Sequence, residues 1–242
     1  MSFPEDISHQ IRRVLRLQRG QIVKVLDNQG NLFDVTLTGV SQQEVVGEIT
    51  SRGLSGAEPR TRVNLYLCLT QREKFEFILQ KCTELGAAAF IPLISSRSLV
   101  RDDISTRNKV SRWERIIKEA AEQCGRGLIP DLLPVVSFEA AMTEYESQNS
   151  IRMILWEGEK DLSIRKFLVD LPLKKSLQDF HDFDILVGPE GGFSDDEVET
   201  ARSRGFIPVS LGDRILRMET AATTITALVL YEQGEMEKSS FG

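Results

Sequence analysis

Residues 186–197 read LVGPEGGFSDDE: an apolar run opens into a loop holding Gly188, Gly191 and Gly192, and Ser194 stands three positions before Glu197. Glycines suit such a loop because they accept positive φ and let a ligand approach bare backbone. The Ser194/Glu197 spacing is that of a capping box, so a helix is expected to start there, with free N–H donors and partial positive charge at its beginning. Such a helix start is often a phosphate cradle. Neither Gly-x-x-x-x-Gly-Lys-Ser/Thr nor Gly-x-Gly-x-x-Gly occurs at the loop, however. From His181 to Glu199 there are seven Asp or Glu and no Lys or Arg. A polyanion would be repelled, and a neutral or cationic small molecule fits better. The plain alternative is a glycine turn that only lets strand and helix pack.

The elements that must position this loop alternate. Ile151–Trp156, Asp184–Val187 and Ile207–Leu211 are short aliphatic runs, each entering a loop with glycine: Gly158, Gly188 and Gly212. Between Thr70 and the first of these, Gln71–Leu85 has apolar Phe75, Ile78, Leu79, Cys82 and Leu85 at helical spacing and stops at Gly86; Ala88–Ile94 reads as a strand, and Ser105–Cys124 as a helix ended by Gly125. This alternation predicts an α/β domain with a parallel sheet, and open α/β sheets bind ligands beyond the carboxyl ends of their strands. Upstream, Gln21–Asp27, Asn31–Leu37, Glu44–Thr50 and Arg62–Leu69 read as four strands of a small antiparallel barrel or sandwich. A domain of residues 1–70 is therefore expected to precede one of residues 71–242. The last helix, Glu219 to about Gln233, has no charge between Thr220 and Tyr231. That implies burial on more than one side, and hence a subunit partner.

The chain has 242 residues, 41% hydrophobic and 27% charged, enough for two modest domains, or one large one, with a real core. No run reaches the ~18 apolar residues of a membrane helix, and the N-terminus has no signal-peptide core, so no membrane is expected. Cys68, Cys82 and Cys124 are far apart in apolar patterns. They read as reduced core thiols of a cytoplasmic protein, without disulfide or zinc spacing. The net charge of −6 argues globally against nucleic acid, but acid and base are segregated. Between Ile7 and Leu26 stand Arg12, Arg13, Arg16, Arg19 and Lys24 with no acid. From Ser95 to Lys118 stand Arg97, Arg101, Arg107, Lys109, Arg112, Arg115 and Lys118 against Asp102, Asp103 and Glu114. For residues 107–118 a solvated helix face is the better reading; the first cluster, without neighbouring acids, asks for an anionic partner.

The segments GPEGGFSDDE (188–197), LGDRILRMETAA (211–222), QKCTELGA (80–87), EAAEQCGR (119–126) and HQIRRVLRL (9–17) together resemble the ribosomal small-subunit methyltransferase E (RsmE) family, in that family's order and over nearly the whole chain. The resemblance implies a PUA-like β-barrel followed by a SPOUT-type α/β methyltransferase domain with a trefoil knot, and a cytoplasmic homodimer. It also implies methylation of N3 of a decoding-centre uridine in 16S ribosomal RNA, within the 30S subunit, using S-adenosylmethionine. A sulfonium cofactor without phosphate agrees with the acidic loop. The sequence departs from the family pattern at Met218, where threonine is usual, and at the N-terminus, which lacks a basic-aromatic strand before His9.

By the same resemblance, Leu155, Trp156 and Glu157, Gly188, Pro189, Glu190, Gly191 and Gly192, Leu211 and Gly212, and Ile215, Leu216 and Arg217 wrap the cofactor, mostly through backbone groups. Arg217 and Glu219 are the catalytic candidates: Arg217 either holds the uracil oxyanion or pairs with Glu219. Glu190 either faces the cofactor's cation or accepts from loop amides. Arg12, Arg13, Arg16, Arg97, Arg101 and Arg126 are the RNA-binding candidates, Arg126 with helix capping as its alternative. His9 reads as structural, and His181 is set aside. Two other functions fit the same pattern: a different SPOUT-type RNA methyltransferase, and a non-catalytic RNA-binding protein of this fold.

Overall fold

The structure, a computed structural model, describes residues 1–98, 103–144, 150–170 and 182–237. Arg101 and His181 lie outside the described residues, as does the side chain of Arg107. The chain forms two compact units, Met1–Glu58 with Glu122–Leu128, and Pro59–Ala121 with Ile129–Gly242.

In the smaller unit, α1 (Glu5–His9) runs on into one π-helical turn, Gln10–Val14. The strands β1 (Ile22–Leu26), β2 (Asn31–Val40) and β3 (Val45–Leu54) make an antiparallel meander. Its first turn is set by Asp27, whose carboxylate accepts the N–H groups of Gln29 and Asn31 at 2.8 and 3.1 Å. Inward residues Val35, Leu37 and Val45 form a small core with Phe3 and Ile11. Residues 1–3 run along β3, Phe3 donating to the Val45 carbonyl and Gly47 to that of Met1, both at 3.0 Å. They add edge pairing to β3, with Ser2 bridged antiparallel to Val46. Residues 122–128 are bound in by Gly30 N–H on the Gly127 carbonyl at 3.2 Å and by Ser55 Oγ on that of Gly125 at 3.1 Å. A Cβ on Gly127 would stand 2.7 Å from that of Ser55, so glycine is required for this approach.

The larger unit holds an all-parallel sheet: β4 (Val63–Cys68), β5 (Ala89–Ile94), β6 (Asp131–Leu132), β7 (Val136–Ser137), β8 (Ile151–Leu155), β9 (Phe183–Val187) and β10 (Ile207–Val209). The order is β10-β8-β9-β4-β5-β6, with β7 also on β5. The helices are α2 (Arg72–Leu85), α3 (Asp103–Cys124), α4 (Phe138–Glu144), α5 (Ile164–Asp170), α6 (Asp195–Ser203) and α7 (Met218–Glu232). Gly86 ends α2 at φ 115°, and Ala87 N–H bonds back to the Cys82 carbonyl. The expected helices and strands after Thr70 are all present. The short elements α4, α5, β6 and β7 have too few residues for a periodic signal and were not anticipated.

One expectation is corrected. The run around Val63–Cys68 was read as the fourth strand of the antiparallel barrel, but β4 lies in the parallel sheet between β9 and β5. The physical reason was visible in VNLYLC: it is apolar almost throughout and buried on both faces, as central parallel strands are, whereas β2 has few fully buried positions and β3 is exposed from Glu48 to Leu54. The smaller unit accordingly breaks at Glu58, not at residue 70. Helix α7 packs on α2, β4 and β9, burying Met218, Ala221, Ala222, Ile225, Thr226, Val229 and Leu230. Among the described residues, no helix is long and apolar enough to cross a membrane.

Candidate active site

Because β10, β8 and β9 are neighbours in a parallel sheet, the loops leaving them emerge side by side at one edge. After β8 come Trp156, Glu157 and Gly158; the Trp156 indole lies over Gly158, whose Cβ would stand 2.5 Å from the ring. After β9 the chain turns tightly, with Gly192 N–H on the Pro189 carbonyl at 2.9 Å and Gly192 at φ 66°. A Cβ at Gly192 would lie 3.2 Å from Glu157 Oε1, so this glycine serves both the turn and the approach of the two loops. After β10, Gly212 takes φ 106° and donates to Ser210 Oγ. Trp156 N–H donates to the Val209 carbonyl at 3.1 Å, joining the first loop to the third. Ile215, in that third loop, leaves 86% of its surface in solvent. Leu155, Leu211 and Leu216 are half-buried around these loops.

The capping box is formed as expected: Ser194 Oγ accepts from Glu197 N–H, and Glu197 Oε2 accepts from Ser194 N–H at 2.8 Å. Glu197 is buried, and its Oε1 takes Ser96 N–H at 2.7 Å. Glu190 keeps a quarter of its side chain in solvent and is engaged by side chains from upstream. Its Oε1 accepts from Thr70 Oγ1 at 2.5 Å and from Lys74 Nζ at 2.7 Å. Burial alone would raise this carboxyl, but the Lys74 and Thr70 bonds outweigh it and hold its pKa below the ordinary value. Asp184, unlike Glu190, is fully buried, accepting from Asn64 Nδ2 at 2.9 Å and from Ser150. Three of the seven acids that made this stretch look selective for a cation, Asp184, Glu190 and Glu197, are therefore engaged by the protein itself. Sequence reading missed Thr70 and Lys74 because they lie over a hundred residues upstream; the one available signal was their place just beyond a strand end.

Arg217 is the N-cap of α7, with its side chain exposed and, among the described residues, no ion pair or hydrogen bond on its guanidinium. The pairing with Glu219 is not formed. Glu219, in the first turn of α7, has its Oε2 buried and, among the described residues, without a hydrogen-bond partner. A buried carboxylate oxygen in that condition is costly unless a donor reaches it. Met218 is buried under the loop, so no hydroxyl is called for there. Cys82 and Cys68 offer no nucleophile: burial pushes the first up to about 12 and the second higher still. Among the described residues no cluster suits a metal ion.

The arginine candidates divide. Arg13 and Arg16 are exposed and unpaired among the described residues. Arg12 is engaged inside the smaller unit, with Nε on the Ser8 carbonyl, Nη1 on those of Ser41 and Gln42, and Nη2 on Glu5. Arg126 is buried and paired with Glu58, so it presents no open guanidinium to phosphate. Arg97 reaches the carbonyl of Gly191.

A family model described as an RNA methyltransferase domain matches residues 57–230. The chain is 32% identical over 221 residues to the ribosomal RNA small subunit methyltransferase E of a Synechocystis strain, covering 91% of this chain and 69% of that protein. It is 32% identical to the Bacillus subtilis protein of the same name, covering 93% and 87%. In structure it resembles a ribosomal RNA small subunit methyltransferase E from Neisseria gonorrhoeae bound to S-adenosyl methionine, with TM-score 0.83 at 26% identity over 96% and 91% of the two chains.

Proposed function

Because the chain belongs to the ribosomal RNA small subunit methyltransferase E family, we propose that it transfers the methyl group of S-adenosylmethionine to N3 of a decoding-centre uridine in the 16S RNA of the 30S subunit. The observation that carries the proposal is the set of three glycine loops meeting at one sheet edge, beside an unpaired arginine and an orphaned buried carboxylate oxygen at the start of α7.

These residues fit the cofactor. Backbone groups of Leu155–Glu157, Gly188–Gly192, Leu211, Gly212 and Ile215–Arg217 line the edge, and exposed Ile215 offers an apolar cover. Glu219 Oε2 has capacity for an N–H or O–H donor, which the cofactor's amino and hydroxyl groups provide. Glu190, already neutralised by Lys74, shapes the loop and is not the counter-ion of the sulfonium. When bound, the cofactor supplies an electrophilic methyl group. The protein's part is to favour the uracil anion, since N3 is protonated at neutral pH; Arg217, with all its donors free, stabilises charge on the uracil oxygens.

The smaller unit is the RNA-binding, PUA-like domain, contacting phosphates through Arg13 and Arg16. A trefoil knot is supported by the route of the chain: β10 lies at the outer edge beyond β8, yet α7, which follows it, packs on β4 and β9 in the middle of the sheet. A homodimer through α2 and α7 is supported by Phe77 and Tyr231, 45% and 67% exposed on these adjoining helices. A cytoplasmic enzyme with reduced thiols follows.

The test is methyl transfer from labelled S-adenosylmethionine to 30S subunits lacking the modification, with the nucleotide identified by mass spectrometry. Label at uridine N3 of the decoding centre is the expected result. Transfer to another base would remove the assigned target, and binding of RNA without any transfer would point to the non-catalytic alternative.

A further inference from the structure

Arg97 opens the second basic cluster and was read as a contact for RNA phosphate. Its geometry is different. The residue leaves the carboxyl end of β5 in a turn closed by its own serines: Ser98 N–H donates to the Ser95 carbonyl at 3.1 Å, Ser95 N–H to Ser98 Oγ at 3.0 Å, and the two hydroxyls lie 3.0 Å apart. Ser95 and Ser98 are buried, so the turn is a fixed base. From it the Arg97 stem crosses the glycine loop, its Cβ and Cδ standing 3.4 and 3.7 Å from where a Cβ on Gly191 would be. Nη1 then donates to the carbonyls of Gly191 at 3.0 Å and of Phe193 at 3.4 Å. The adjacent Ser96 N–H holds Glu197 Oε1 at 2.7 Å, and Glu197 Oε2 holds Ser194 N–H at 2.8 Å. The segment from Gly191 to Glu197 is thus fastened to the β5 turn at both ends, by a guanidinium on its carbonyls and by a carboxylate bridge to its helix start.

We propose that Arg97 is a positioning residue of the cofactor site, holding the backbone of the Gly191–Phe193 loop in its ligand-ready form, and is not a phosphate ligand. The inference rests on the assignment of that loop to S-adenosylmethionine. Physically, a loop of glycines has much conformational freedom to lose on binding a ligand. A charged donor shared by the carbonyls on either side of Gly192 removes that freedom beforehand, and pre-organisation of this kind improves affinity without touching the ligand.

The test compares Arg97→Ala and Arg97→Lys with the unmodified protein. In cofactor-free protein, amide exchange at Gly191–Ser194 is expected to rise several-fold in the alanine variant and to return partly in the lysine variant, while the thermal midpoint hardly moves. Binding of S-adenosylhomocysteine by calorimetry is expected to weaken about tenfold in Arg97→Ala, and the salt slope of RNA binding to stay as it was. In steady state KM for the cofactor rises while kcat at saturation is retained. Unchanged exchange at the loop, or a salt slope reduced by one phosphate contact with unchanged cofactor affinity, overturns the proposal. The exchange measurement needs no ligand, so it stands apart from the functional assignment. If the unmodified protein binds neither S-adenosylmethionine nor its product, the functional assignment fails, whatever Arg97 does to the loop.

Discussion

Replacing Arg126 by alanine separates a structural guanidinium from an RNA contact. Arg126 and Glu58 form a pair whose side chains keep only 5% and 16% of their surface in solvent, with Nε on Oε1 at 3.3 Å and Nη2 on Oε2 at 3.0 Å. The same carboxylate accepts Leu128 N–H at 3.0 Å, so the pair helps to hold residues 122–128 in the smaller unit. Arg126→Ala leaves Glu58 enclosed and without its cation. Removing one partner of a buried pair costs about 3–5 kcal/mol, and the residual exposure of Glu58 together with its retained backbone bond favours the low end, about 3 kcal/mol. That is roughly a hundredfold in the folding equilibrium of the unit. The assay is urea denaturation followed by circular dichroism, with amide exchange at Leu128 as the local readout. Exchange there should accelerate by a similar factor. The double replacement Arg126→Met, Glu58→Met should cost less than the single one, because no unpaired charge remains. An unchanged urea midpoint with weakened, less salt-dependent RNA binding would refute the reasoning and return Arg126 to the phosphate ligands.

Three further outcomes are expected. Arg217→Ala should slow single-turnover methyl transfer at saturating cofactor and RNA by about a hundredfold or more, with cofactor affinity nearly unchanged and lysine restoring part of the rate; recovery of a near-normal rate by the alanine variant would remove Arg217 from the chemistry. Arg13→Ala with Arg16→Ala should lower the magnitude of the log–log salt slope of RNA binding by roughly 0.7 to 0.9 per contact, whereas an unchanged slope makes them a solvated edge. Leu228→Glu should give a folded monomer in sedimentation velocity, since Leu228 is only partly buried within the chain, while Val229→Glu, at a fully buried position, should unfold it; a monomer for the unmodified protein at micromolar concentration would exclude the dimer.

Periodic patterns in the sequence went far toward the fold. Helices α2, α3 and α7 announce themselves by apolar spacing and by Gly86 and Gly125 at their ends, and the Ser194/Glu197 box marks the start of α6. The misplaced strand β4 shows what a periodic reading omits: a strand's identity is local, but its sheet is decided by which faces become buried. The candidate site was legible to the extent that it is made of consecutive backbone, as in the three glycine loops. It was illegible where side chains arrive from far away, as Lys74 does at Glu190, and Arg97 at Gly191. Clustering along the chain also misjudged the arginines. Arg12 and Arg13 are neighbours in sequence, yet one is consumed by carbonyls and Glu5 while the other faces water.

The acidic flank of the loop shows how a sound expectation can rest on a poor reason. Seven carboxylates without a neighbouring cation suggested a pocket for a positive ligand. In space, Glu190 is met by Lys74, Glu197 is spent on two backbone N–H groups, and Asp184 is held by Asn64 and Ser150. A count of charge along the chain therefore overstates the field a ligand meets, because three of the seven acids find partners elsewhere in the fold. What distinguishes this edge is the supply of backbone between the fixed turns, together with one carboxylate oxygen, on Glu219, left unsatisfied among the described residues. A site of that kind recognises a ligand by shape and hydrogen bonding, with charge secondary. The prediction for Arg97 depends on this view: if fixed backbone carries the recognition, the residue that fixes it matters to the cofactor although it lies outside the binding surface.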